Sequence, residues 1–103
     1  MSENPYDFLP PGGQFQDLVG DPVVGATVAP TKMIHHVNNT TAISTITPPN
    51  EGFSGPIYLI ADSQFTVTST GGNIALAVTT TVANKVYPFI YDRKTAKWYP
   101  LNV

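Results

Sequence analysis

The residues able to do chemistry in this chain are few, and their spacing does not assemble them. His35 and His36 are adjacent. On an extended strand successive side chains point to opposite faces, so the pair cannot close on one metal ion. The chain has no cysteine, which removes thiolate ligands, disulfides and a cysteine nucleophile together. Asp62-Ser63 with His35 supplies the residue types of a hydrolytic set. Nothing around the serine resembles a nucleophile elbow, and hydroxyl residues are common throughout. Paired carboxylates for glycosidic chemistry would have to come from Glu51, Asp62 and Asp92. All three lie in or beside turns, where short acidic side chains are favoured for backbone reasons. Gly71-Gly72-Asn73 precedes no helix and is no phosphate loop. The expectation is a non-enzymatic protein with no cofactor and no metal.

From Thr31 onward, short β-branched and aromatic runs alternate with turn residues. Strands are expected near residues 34–37, 42–46, 57–61, 65–69, 73–82, 86–91 and 97–101. Turns fall at Pro48-Pro49-Asn50-Glu51-Gly52, Gly71-Gly72, Ala83-Asn84-Lys85 and Asp92-Arg93-Lys94-Thr95. Gly71-Gly72 reads as the primed turn of a hairpin, where both central residues take positive φ. No segment carries a 3.6-residue apolar period. The fold class is all-β, a small antiparallel β-sandwich or barrel.

The first thirty residues differ in kind. Pro5, Pro10, Pro11, Gly12, Gly13, Gly20, Pro22, Gly25 and Pro30 interrupt them, so neither a helix nor a central strand is expected. Glu3, Asp7, Asp17 and Asp21 give this stretch four negative charges, and the first base is Lys32. The sequence therefore divides into an extended arm, 1–30, and a β-domain, 31–103. Two readings of the arm stand side by side. It is a disordered tail, or it becomes ordered on a neighbouring subunit or another protein, with Tyr6, Phe8, Leu9 and Phe15 as anchors.

A domain of this size supplies a core worth only a few kcal/mol, and with disulfides excluded, association is the stabiliser that remains. Two runs are apolar on both faces. Ile57 and Leu59 oppose Tyr58 and Ile60, while Val86, Pro88 and Ile90 oppose Tyr87, Phe89 and Tyr91. Strands apolar on both faces need cover above and below. Tyr58, Tyr87, Phe89 and Tyr91 are accordingly candidate subunit contacts. The alternative is that the arm covers one face. Pro88 lacks an N–H, so its strand is expected at an edge or with a bulge. Tyr58, Tyr87, Tyr91, Trp98 and Tyr99 could also present rings to a sugar, though core or subunit packing explains most of them, and Trp98 is expected to seal the domain's end.

Charge narrows the partners. The net charge is −2, without the basic footprint that nucleic acid requires. Only 12% of residues are charged, about half the usual share, so threonine, serine, asparagine or a partner must cover the surface. No apolar run approaches a membrane span. Met1-Ser-Glu-Asn-Pro-Tyr-Asp has neither a basic nor an apolar leader region, and synthesis and folding in a cytoplasm are expected.

Three blocks resemble a known pattern. They are Ile43-Ser-Thr-Ile-Thr-Pro-Pro-Asn-Glu-Gly-Phe-Ser-Gly-Pro-Ile-Tyr-Leu-Ile, Phe65-Thr-Val-Thr-Ser-Thr-Gly-Gly-Asn-Ile-Ala-Leu-Ala and Tyr91-Asp-Arg-Lys-Thr-Ala-Lys-Trp-Tyr. Together they resemble the capsid decoration (cement) proteins of tailed bacteriophages and the β-rich domains of head fibres and tail spikes. The likeness covers roughly residues 31–103 and leaves the arm unmatched. It implies a trimeric knob without catalysis of its own, on the virion surface, made in the bacterial host cytoplasm and bound to the major capsid protein. One arm and one small domain, with no shaft, favour the decoration role. A head-fibre or tail-tip adsorption module binding host glycan is the alternative, and a stand-alone carbohydrate-binding module is a third.

Overall fold

A computed structural model describes residues 17–101. Tyr6, Phe8, Leu9 and Phe15 lie outside the described residues. The described chain is all-β, with six strands: β1 (Thr27–Val28), β2 (Ile34–Val37), β3 (Thr45–Ile46), β4 (Gly55–Ala61), β5 (Val86–Asp92) and β6 (Lys97–Pro100). Four of them form one sheet in the order β2-β4-β5-β6, and β1 pairs with β3 in a second. The sheets are mixed. β2 runs parallel to β4 and β1 parallel to β3, whereas β4–β5 and β5–β6 are antiparallel. This departs from the purely antiparallel expectation, because the chain from β2 crosses through β3 before it returns beside β2 as β4.

Alternation sorts the four-stranded sheet into two faces. His35, Val37, Ile57, Leu59, Ala61, Tyr87, Phe89 and Trp98 are all buried on the inner face. They share one core with Val23, Val28, Ile43, Ile46, Phe65, Val67, Ile74 and Val78. Trp98 lies between the two sheets. It is fully buried, and its indole N–H donates to the Ile46 carbonyl at 2.8 Å, joining the last strand of one sheet to the other sheet.

The chain over this inner face is not built of long strands. The expected strand 65–69 reduces to a bridge at Val67, and 73–82 reduces to bridges at Ile74 and Val78. The expected strand 42–46 shortens to β3 with a bridge at Ile43. Side chains here do the work of a ladder. Asn39 Oδ1 accepts from the Gly25 N–H at 3.0 Å and its Nδ2 donates to the Gly25 carbonyl at 2.9 Å. Asn73 does the same for Ile46, at 2.9 and 2.7 Å. Thr81 Oγ1 accepts from the Phe65 N–H at 2.7 Å and donates to the Phe65 carbonyl. Each side chain serves both backbone groups of one residue, as a neighbouring strand would, so burial leaves neither group orphaned.

Residues 17–30 belong to this packing. Val19 and Val23 bridge to Ile34 and Val37 along the outer edge of β2, and Val23 and Val28 enter the core. The arm and domain expected to divide after Pro30 are therefore continuous from residue 17. Short apolar residues between the prolines suffice to pair an edge, and the division by composition does not register that. His35 secures the junction. Its Nε2 accepts from the Thr31 and Lys32 N–H groups at 3.1 Å each, which leaves Nδ1 as the donor to the Asp21 carbonyl at 2.6 Å. Gly20 passes against this ring, where a Cβ would collide with the imidazole.

Two local expectations change. Gly71 has φ 82°, but Gly72 is not in the left-handed region, and the antiparallel contact lies farther out, between Val67 and Val78. Gly72 is glycine because its backbone presses on the Ser44 carbonyl, where a Cβ has no room. Pro88 lies on an internal strand without a bulge. Its carbonyl accepts from Leu101 N–H at 2.9 Å, just past the end of β6. A strand residue's N and C=O point to the same side, so the missing donor faces the margin where the ladder stops.

Candidate functional site

The outer face of the four-stranded sheet is a surface that the described residues leave uncovered. Its side chains fall into cross-strand rows, each set by the register. Ile34, Tyr58 and Pro88 form one row, His36, Ile60 and Val86 a second, and Pro56, Ile90 and Tyr99 a third. Eight of these nine side chains are apolar or aromatic. Val86 is 45% exposed, Ile90 40% and Tyr99 39%. Tyr58, Ile60 and Pro88 between them are half-buried by their neighbours.

Polar pairs bound the face at its two ends. At one end His36 Nδ1 lies 2.6 Å from Asp62 Oδ1, and both side chains are about two-fifths exposed. At the other, Asp92 pairs in register with Lys97. An apolar centre with a polar rim is the anatomy of a protein contact surface. The sheet's lateral edges are already occupied: residues 18–23 run along β2, and Asn73 to Ala75 bond to Trp98 of β6. Face packing remains open to a partner, while strand addition at those edges does not.

Of the four expected subunit contacts, only Tyr58 stands on this face. Tyr87, Phe89 and Tyr91 point inward. Phe89 is fully buried, and Tyr87 meets Phe65 edge-on at 5.8 Å and accepts from the Val82 N–H through its hydroxyl. Tyr91 packs on Trp98 with ring centroids 4.9 Å apart. Both runs carry two apolar sets, and the cover for one set comes from the same chain, from residues 62–85 together with Val23, Val28, Ile43 and Ile46. The set left over is Val86, Pro88 and Ile90, joined by Tyr58 and Tyr99. Its signal lies in the even-numbered positions of β4 and β5.

The chemical candidates do not converge. His35 is buried and His36 is on the outer face, as alternation requires. Among the described residues no three of His, Asp and Glu come together as a metal site. Asp62 is committed to His36, and Asp92 caps its own turn through the Lys94 N–H at 2.9 Å. No known protein family, curated protein or solved structure matches the chain.

Proposed function

We propose that the protein is a non-enzymatic structural protein of a bacteriophage virion, a capsid decoration (cement) protein that sits on the head surface as a homotrimer. Its partners in this reading are further copies of itself and the major capsid protein, with no role for nucleic acid or membrane. Synthesis in the bacterial host cytoplasm precedes assembly onto the particle. The apolar outer face carries the self-association. A row-by-row apolar grid bounded by polar pairs gains free energy when a second subunit removes it from water, at about 25 cal/mol per Å² of apolar area. The trimer and the phage setting rest on the resemblance of the three sequence blocks to decoration and fibre domains. Tyr58 and Tyr99 on the same face favour a second reading, an adsorption module whose rings stack on host glycan.

Light scattering of the full chain tests the first step. The expected mass is three times the 11.1 kDa chain, falling to one chain in I90K. A wild-type monomer at micromolar concentration overturns the association. Sedimentation with purified phage heads tests the second, where a chain that stays in the supernatant overturns the capsid role. Glycan binding without head binding selects the adsorption reading.

A further inference from the structure

We propose that His35 is an acid-sensitive latch: its neutral ring holds residues 18–23 along the outer edge of β2, and a proton on the ring releases them. The latch has three contacts. Nε2 accepts from the Thr31 and Lys32 N–H groups, and Nδ1 donates to the Asp21 carbonyl. The first two come from the bend that leads into β2 and the third from the segment on its edge, so one ring ties both to the strand. A protonated imidazole carries a hydrogen on each nitrogen and accepts nothing. Its Nε2–H would face two N–H groups, and both would lose their acceptor at once. Bonds made to the neutral ring favour that form in the docked state, so the hold is present at the alkaline side and is lost as pH falls.

Nothing around the ring compensates a charge on it. His35 is 2% exposed, and among the described residues no carboxylate stands within ion-pair distance of it. Asp62 pairs with His36 on the opposite face, and Asp17 turns a carboxylate oxygen to the Val19 N–H. Asp21 gives the ring its carbonyl, and the bend brings a second cation, Lys32. On the inner face its neighbour in register is Leu59 of β4, and beyond that Tyr87 of β5, whose hydroxyl is bonded to the Val82 N–H. Space is as tight as charge. Gly20 passes so close that a Cβ there would overlap the imidazole, and the ring cannot swing while the segment stays docked. The segment is the part that yields. Apart from His35 it is held by Ile34 N–H to the Leu18 carbonyl, Gly20 N–H to that of Ile34 and Val23 N–H to that of His36. Leu18 and Val19 are exposed, and within 18–23 Val23 alone is buried. Segments with so little burial open locally, short of global unfolding. Release bares the outer edge of β2 to strand addition, which the docked segment blocks. The latch concerns one chain and is independent of the phage reading.

Amide hydrogen exchange in the isotope-labelled full-length chain tests the latch. Protection of the Gly20, Val23 and Ile34 N–H groups, corrected for intrinsic exchange at each pH, is expected to fall at least tenfold from about pH 8 to about pH 5.5, where histidine changes charge. The amides of β4 and β5 are expected to keep their protection within about twofold over the same steps, as local opening requires. Free carboxylates titrate near about pH 4, below this window, and His35 and His36 are the chain's two histidines. His36→Gln should therefore keep the response and His35→Gln should abolish it. The ring nitrogen resonances of His35 in the wild-type chain should move over the same pH steps as the three amides, a readout that needs no variant to fold. Protection of the three amides that does not change with pH overturns the proposal. So does a response that survives His35→Gln or disappears in His36→Gln. An equal loss in β4 and β5 also overturns it, because the acid then unfolds the whole sheet rather than releasing the segment.

Discussion

In the sheet β2-β4-β5-β6, backbone pairs with backbone in continuous register over four to six residues at each seam. Across its inner face, residues 62–85 and 17–30 are held instead by single bridges, by the two-residue pairing of β1 with β3, and by Asn39, Asn73, Thr81 and His35. The two regions meet in one core but depend on sequence differently. A ladder is redundant: any side chain that suits its face leaves the backbone bonds in place. In the irregular half a particular side chain is the partner of a particular backbone residue, and a shorter or apolar replacement strands two backbone groups at once. Only the ladder presents apolar side chains in flat rows, and the proposed association rests on that face.

That contrast can be broken in four ways. The largest effect is expected where the regions touch. Phe89→Ala should lower stability by roughly 3–5 kcal/mol, as aromatic truncations in cores do, measured by urea unfolding. A loss below about 1 kcal/mol would mean that the inner face is not the shared core. Next come the ladder substitutes. Asn73→Ala and Thr81→Val should each cost roughly 1–3 kcal/mol by leaving buried backbone groups without partners. If both variants unfold at the wild-type denaturant concentration, the side chains are not acting as strands. Ile90→Ala, one residue from Phe89 but on the open face, should cost about 1 kcal/mol at most in the isolated chain, given its partial burial. In an oligomer it should also make melting more dependent on protein concentration. Equal losses for Phe89→Ala and Ile90→Ala would show that the outer face is buried as deeply as the inner one. The smallest effect is expected at the rim. Asp62→Asn alters the half-exposed contact with His36, and the change should stay within about 0–1 kcal/mol in a thermal melt.

Much of the regular sheet was legible before the structure. Expected strands at 34–37, 57–61, 86–91 and 97–101 match β2, β4, β5 and β6 to within two residues at each end. Their apolar alternation and the turns at Asn84 and at 93–96 are local properties. The candidate site was half legible. Tyr58 and Ile60, with Val86, Pro88 and Ile90, were recognisable as members of two-faced runs, but no local feature tells an inner set from an outer one.

The strands of the four-stranded sheet and the turns at Asn84 and 93–96 follow from the residues in order, because they depend on neighbours a few positions away. Packing chose the rest. Gly25 lies 14 residues from Asn39, Phe65 16 from Thr81 and Ile46 27 from Asn73, and nothing near either partner announces the pairing. Residues 62–85 could have closed over either apolar face of β4 and β5. They cover the face that carries Leu59, Tyr87 and Phe89, where Thr81 reaches Phe65 and Trp98 reaches Ile46. The opposite face is left uncovered by the described residues, because the same segment cannot cover both.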